Sequence, residues 1–146
     1  MPTVELLVGL KVPDNVAITA FHTLERMGYG SLKNLQRWDY YRFELNGDIN
    51  IFKKKISQVD ILVNPNKHKY DFSIEKNEKI NLLVQDLENG LGLVDSLKRL
   101  GFKEIKKAEK GVLWSMQIEG KDSKKSAEEM AKELLVNENY QEYKLL

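Results

Sequence analysis

Two histidines, His22 and His68, are the side chains best suited to acid–base or metal chemistry in this 146-residue chain, which has no cysteine. Without cysteine, disulfides, thiolate nucleophiles and cysteine-ligated metals are excluded. His22 follows Phe21 in a helical pattern and His68 lies in a Lys-His-Lys triplet. Neither has a partner at ligand or catalytic spacing, so both read as surface or boundary residues. Asn89-Gly90-Leu91-Gly92 precedes a helical pattern, where backbone N–H groups can cradle a phosphate. It lacks the Gly-Lys-Ser/Thr ending, and the corresponding loop, Val12–Asn15, has a proline and no glycine, which makes both helix-entry turns. Lys53-Lys54-Lys55 reads as a solvated helix face, and Lys106-Lys107 as solvated strand or loop positions. A Leu-Val-Asn-x-Asn motif occurs twice and places Asn64, Asn66, Asn137 and Asn139 in turns between helix and strand. A contact role for these four asparagines is the alternative. No catalytic set, cofactor site or metal site emerges.

The bulk composition narrows the partners. Hydrophobic residues make up 42% and charged residues 31%, an ordinary globular balance. With 23 basic and 22 acidic residues, no global field draws the chain to nucleic acid or a membrane surface. The longest apolar runs, such as Leu6-Leu7-Val8 and Ile61-Leu62-Val63, are too short to span a bilayer. The N-terminal MPTVELL has no signal-peptide features, and a cytoplasmic location is expected.

The elements that must position these residues occur twice. TLERMGY (Thr23–Tyr29) corresponds to SLKRLGF (Ser96–Phe102), and LVNPNKHKY (Leu62–Tyr70) to LVNENYQEY (Leu135–Tyr143), both at an offset of 73 residues. Between them Tyr41, Phe43 and Leu45 fall on Trp114, Met116 and Ile118 at the same offset. The first strands, VELLVGL and INLLVQD, align at an offset of 76, so the first copy has the longer first loop.

Val4, Leu6, Val8 and Leu10 alternate as a half-buried strand does, as do Ile80, Leu82 and Val84. Ala17, Ala20, Phe21, Leu24 and Met27 follow helical spacing, matched by Leu93, Val94, Leu97 and Leu100. Gly28 and Gly101 stand where a helix ends in positive φ. Leu32–Leu45 and Ile105–Ile118 read as extended, bending near Trp38-Asp39 and Lys110-Gly111 into two strands each. Asp48 is placed to cap a second helix, and Ser126 with Glu129 has capping-box spacing in the second copy. Lys69–Ile74 and Glu142–Leu146 are the last strands, and the polar EKNEK stretch (Glu75–Lys79) is the linker. The expected fold is α+β: two tandem βαββαβ units, each a sheet with two helices on one face, over residues 1–75 and 80–146 with linker 76–79.

Strand parity predicts a binding face. With Val4, Leu6 and Val8 turned to the helices, Leu7 points to the sheet's other side, as do Trp38, Tyr40, Leu83 and Leu113. Apolar residues kept there in both copies predict a face covered by another sheet, in a homo-oligomer or in the contact between the two halves, which are expected to stabilise each other by pairing.

The bent stretch IKKAEKGVLWSMQI (Ile105–Ile118), including Gly111, resembles the pattern of PurS, the small non-catalytic subunit of formylglycinamidine ribonucleotide synthase. LKNLQRWDYYRFEL (Leu32–Leu45) resembles it with Trp38 in place of the glycine, and EEMAKELLVNENYQEYKL (Glu129–Leu145) is similar to the family's final helix and strand. PurS is ordinarily a single unit that associates into dimers, so this chain looks like a covalent pseudo-dimer. The resemblance implies a scaffold in de novo purine biosynthesis that bridges a synthetase subunit and a glutaminase subunit. Two other readings are a divergent PurS paralogue with another partner and a ferredoxin-like amino-acid-sensing module, the latter by fold analogy. RNA binding through Trp38 and Tyr40 ranks below these, since the aromatic signature of such sheets is missing. From the missing catalytic groups, the purified chain alone is expected to turn over neither glutamine nor ATP. Turnover abolished by a point mutation in this chain would overturn that expectation.

Overall fold

The computed structural model describes residues 1–87, 90 and 92–146. Among these the chain runs β1 (Thr3–Leu10), α1 (Asn15–Arg26), β2 (Leu32–Leu45), α2 (Ile49–Ile56), β3 (His68–Asp71), β4 (Ile80–Asp86), α3 (Leu93–Arg99), β5 (Ile105–Ile118), α4 (Ser123–Met130) and β6 (Gln141–Leu145). A π-helical turn, Ala131–Leu135, extends α4. The fold is α+β, with one six-stranded sheet in the order β3-β1-β2-β5-β4-β6. β1 runs antiparallel to β2 and β3, and β4 antiparallel to β5 and β6.

The chain forms two compact units, and each draws on both copies of the repeat. The first comprises residues 1–11, 39–74 and 88–111; the second comprises 12–38, 75–87 and 112–146. β2 and β5 are thus divided at 38/39 and 111/112, beside the bends expected from the sequence. Each nevertheless is one continuous strand rather than the expected two.

In the first unit Val4, Leu6 and Val8 of β1 and Phe43 and Leu45 of β2 meet Phe52 and Ile56 of α2. Leu97 of α3 and Ile105 and Ala108 of β5 complete that core. Phe52 lies edge-on to Phe43 at 5.4 Å and to Phe102 at 5.9 Å. Such pairs contribute about 0.5–1.5 kcal/mol each beyond the area they bury. The second unit sets Ala17 and Leu24 of α1 and Leu32 and Leu35 of β2 against Leu82, Val84, Trp114, Met116, Ala127 and Met130.

Positions 73 apart play matching parts in opposite units. Leu24, Leu32, Leu35 and Trp114 serve the second core, while Leu97, Ile105, Ala108 and Tyr41 serve the first. The Asn46 N–H donates to the Glu104 carbonyl at 2.9 Å in one unit, and the Glu119 N–H to the Ser31 carbonyl at 2.9 Å in the other. Gly28 and Gly101 both adopt positive φ, at 103° and 102°, directly after their helices.

Several local expectations shift. Met27 and Leu100 lie past the last turns and are exposed, because a glycine ends each helix before they turn inward. Asp48 caps α2 as expected, its Oδ1 accepting from the Ile51 N–H at 3.0 Å. α4 starts at Ser123 after Asp122, a turn ahead of Ser126; the Ser126 N–H already bonds the Asp122 carbonyl and needs no cap. β3 ends at Asp71, with Phe72 packed on the first core beyond it.

Gly90 is held by the backbone beside it. Its φ is 73°, and a Cβ there would stand 2.2 Å from the Ala108 carbonyl oxygen. Gly92 has φ −88° and open space around it. Gly90→Ala is therefore expected to cost more than about 1 kcal/mol, through a strained backbone and a clash that no rotamer relieves. Gly92→Ala should stay within about 0.5 kcal/mol. Urea denaturation of the two variants side by side checks the contrast.

Candidate functional site

Each unit carries a groove where a helix entry, a sheet residue and the end of the second helix region converge. In the second unit a groove of about 500 Å³ runs between α1, through Val16, Thr19 and Ala20, and Leu134 and Leu135, with Trp114 at its base. In the first unit a cleft of about 550 Å³ is lined by Tyr41, Ile61, Leu62, Leu93, Ser96 and Lys110, with Gly90 and Gly92 in its wall. Tyr41 corresponds to Trp114, Ile61 to Leu134 and Leu62 to Leu135 at the offset of 73, so the two clefts occupy the same place in each unit. One is apolar and the other mixed.

The entry to α1 is fixed by a carboxylate the sequence reading missed. Asp14 Oδ1 accepts from the N–H groups of Val16 and Ala17, capping the helix. Arg37 grips the same carboxylate in a two-pronged pair, Nε to Oδ2 at 2.9 Å and Nη2 to Oδ1 at 3.3 Å. This clamp ties α1 to the first half of β2. An Asp two residues before a helical apolar pattern was the available signal for the cap; nothing local pointed to Arg37. In the first unit Lys110 holds the position of Arg37, and Gly92 takes the N-cap place before α3 with no side-chain cap.

The residues expected on a covered sheet face lie mostly buried within the chain itself. Leu7 sits opposite Tyr40 and Leu83 opposite Leu113 in the strand registers, as parity requires. All four are buried within the single chain, Leu7 at 4%, Tyr40 at 2%, Leu83 at 1% and Leu113 at 1% exposure. Trp38 is half-buried. Parity set the side correctly, but it carries no information about what the rest of the chain does there. Tyr40 donates its hydroxyl to Glu5 Oε2 at 2.7 Å. Burial first, and then this hydrogen bond, holds the phenol well above its usual range.

The Leu-Val-Asn-x-Asn copies form matched turns. Asn64 Oδ1 accepts from the Asn66 N–H at 2.9 Å, and Asn137 Oδ1 from the Asn139 N–H at 3.2 Å. His68 Nδ1 accepts from the Asn64 N–H at 2.9 Å, as Gln141 Oε1 does from the Asn137 N–H at 3.0 Å. These polar atoms are spent on their own turns, the reading preferred from the sequence. His68, the first residue of β3, thus closes the turn that precedes it, and His22 is exposed on α1 with Nδ1 3.7 Å from Glu25 Oε1.

Among the described residues no group of three or more His, Asp or Glu side chains is placed to hold a metal ion. Asn89 and Leu91 of the glycine-containing loop lie outside the described residues. In the lysine run on α2, Lys53 lies over the Phe72 ring at 5.3 Å and Lys55 over the Phe102 ring at 4.8 Å. Lys53 is half-buried over its ring, while Lys54 and Lys55 are exposed, as the sequence reading expects. No helix among the described residues is long and apolar enough to cross a membrane.

Two substitutions test the buried face. Leu83→Asp places an unpaired charge where exposure is 1%, and a loss of several kcal/mol in unfolding free energy is expected. Tyr40→Phe removes one hydrogen bond and leaves Glu5 able to reach water, so about 1 kcal/mol is expected. The raised phenol means that folding favours the neutral form. Wild-type stability is therefore complete below the unfolded tyrosine pKa of about 10 and falls as pH rises above it, a loss Tyr40→Phe should reduce. Chemical denaturation across the alkaline range reads all three effects.

No curated protein matches the chain. Residues 89–146, running from just before α3 through β6, match the family model PurS, described as phosphoribosylformylglycinamidine (FGAM) synthase. That span carries both the bent strand and the final helix and strand on which the sequence resemblance rests, and residues 89–146 are PurS-like.

Proposed function

We propose that this chain is a non-catalytic accessory subunit of FGAM synthase in de novo purine biosynthesis, bridging a synthetase subunit and a glutaminase subunit. The observation that carries the proposal is the PurS match over residues 89–146. The N-terminal half extends that reading to the whole chain, because Leu24, Leu32, Leu35 and Tyr41 hold the positions of Leu97, Ile105, Ala108 and Trp114 in opposite cores. A tandem duplication of one PurS-like unit accounts for that correspondence. The chain then acts as a covalent pseudo-dimer, offering its partners surfaces rather than reacting groups. The two grooves and the rims around them are the surfaces this reading assigns to the partners.

Reconstitution tests the proposal. Synthetase and glutaminase subunits from the same organism are combined with and without the purified chain, and FGAM formation is followed with either glutamine or ammonia as nitrogen donor. Glutamine-dependent synthesis should require the chain, and the three proteins should co-elute in gel filtration. Ammonia-dependent synthesis should depend on it far less, because a bridging subunit is needed only to couple the two sites. Full glutamine-dependent activity without the chain, with no co-elution, would remove the purine reading.

A further inference from the structure

Each unit is closed by side chains from both sequence halves. In the second unit Leu24 and Leu32, from the N-terminal half, lie in one buried cluster with Met116 and Met130 from the C-terminal half. In the first unit the roles reverse, and Leu97 and Ile105 complete a cluster begun by residues 4–63. The reciprocal backbone bonds, Asn46 to Glu104 and Ser31 to Glu119, also join one half to the other. A half on its own would leave its first helix, α1 or α3, with only the start of one strand, β2 or β5, to pack on. The large apolar side chains of these clusters would then be left in water, which makes an isolated half a poor fold.

The covalent tie between the halves is small by comparison. It is the stretch Glu75–Lys79, where Lys76, Asn77 and Glu78 are exposed and Glu78 turns the chain with φ 58°. The Asn81 side-chain amide holds the Glu75 carbonyl at 2.8 Å, so the turn is anchored on the second half. An exposed hinge between complementary halves is the arrangement that permits exchange between identical chains.

We propose that the two halves of this sequence, 1–75 and 80–146, are obligate and exchangeable partners, so that the N-terminal half of one chain closes on the C-terminal half of a second copy. The occupant of the surface exposed when the hinge opens is therefore a second copy of this chain. The inference stands on the two interleaved cores and is independent of the purine assignment.

The experiment inserts a protease site between Asn77 and Glu78 of the full-length chain, which is purified and then cleaved. The two fragments should stay together in gel filtration under native conditions. When the cleaved chain is mixed with a version tagged at its N-terminus, unfolded in urea and refolded, the tagged N-terminal fragment should capture about half of its C-terminal fragments from the untagged protein. Fragments that separate as folded species on cleavage, or that aggregate under native conditions, overturn the proposal. So does an assembly that refolds without mixing. Should the cleaved chain not refold, two uncut chains answer the same question on co-expression: a tagged one carrying Leu24→Asp and an untagged one carrying Met130→Asp. Each lesion lies in a different half, so exchange gives one pairing of intact halves, and the tag should recover both chains in soluble form. Recovery of the tagged chain alone, or of neither, overturns the proposal.

Discussion

The structure depends on one constraint: two fourteen-residue strands, β2 and β5, must each serve two hydrophobic cores. Leu32 and Leu35 at the start of β2 belong to the second unit, while Phe43 and Leu45 at its end belong to the first. β5 does the reverse, giving Ile105 and Ala108 to the first unit and Trp114 and Met116 to the second. A repeat of about 70 residues buries a marginal core by itself. Dividing the long strands lets each core gather residues from two repeats. The helix that follows β1 thereby packs in the second unit, and the helix that follows β4 packs in the first.

Much of this was legible in the sequence, and the gaps have definite causes. The period-2 and helical patterns located the strands and helices, and the offset of 73 exposed the equivalence of the two copies. Periodicity tells a strand which face is apolar and is silent about which core that face joins. The exchange of half-strands was therefore invisible, although the positions of the exchange, near Trp38 and Gly111, were marked as bends. The same silence applies to Leu7, Tyr40, Leu83 and Leu113, which read as a covered face with nothing to say what covers it and which are buried within the single chain. Ser126 and Glu129 had capping spacing, but the backbone had already entered the helix at Ser123.

The residues that looked most chemical turned out to be architectural. His68 and the paired asparagines close turns on themselves, Asp14 holds a helix end and an arginine, and two of the three lysines on α2 lie over aromatic rings. Polar atoms committed in this way stiffen the points where helices meet strands.

The paired grooves have a consequence for how such a protein changes over time. In an assembly of identical subunits every substitution appears in all copies, so a change that improves one contact is imposed on its symmetry mates. Here each groove has its own codons. Trp114, Leu134 and Leu135 make one of them apolar, while Tyr41, Ile61 and Leu62 share the other with Ser96 and Lys110. Selection can therefore adjust one groove without disturbing its counterpart.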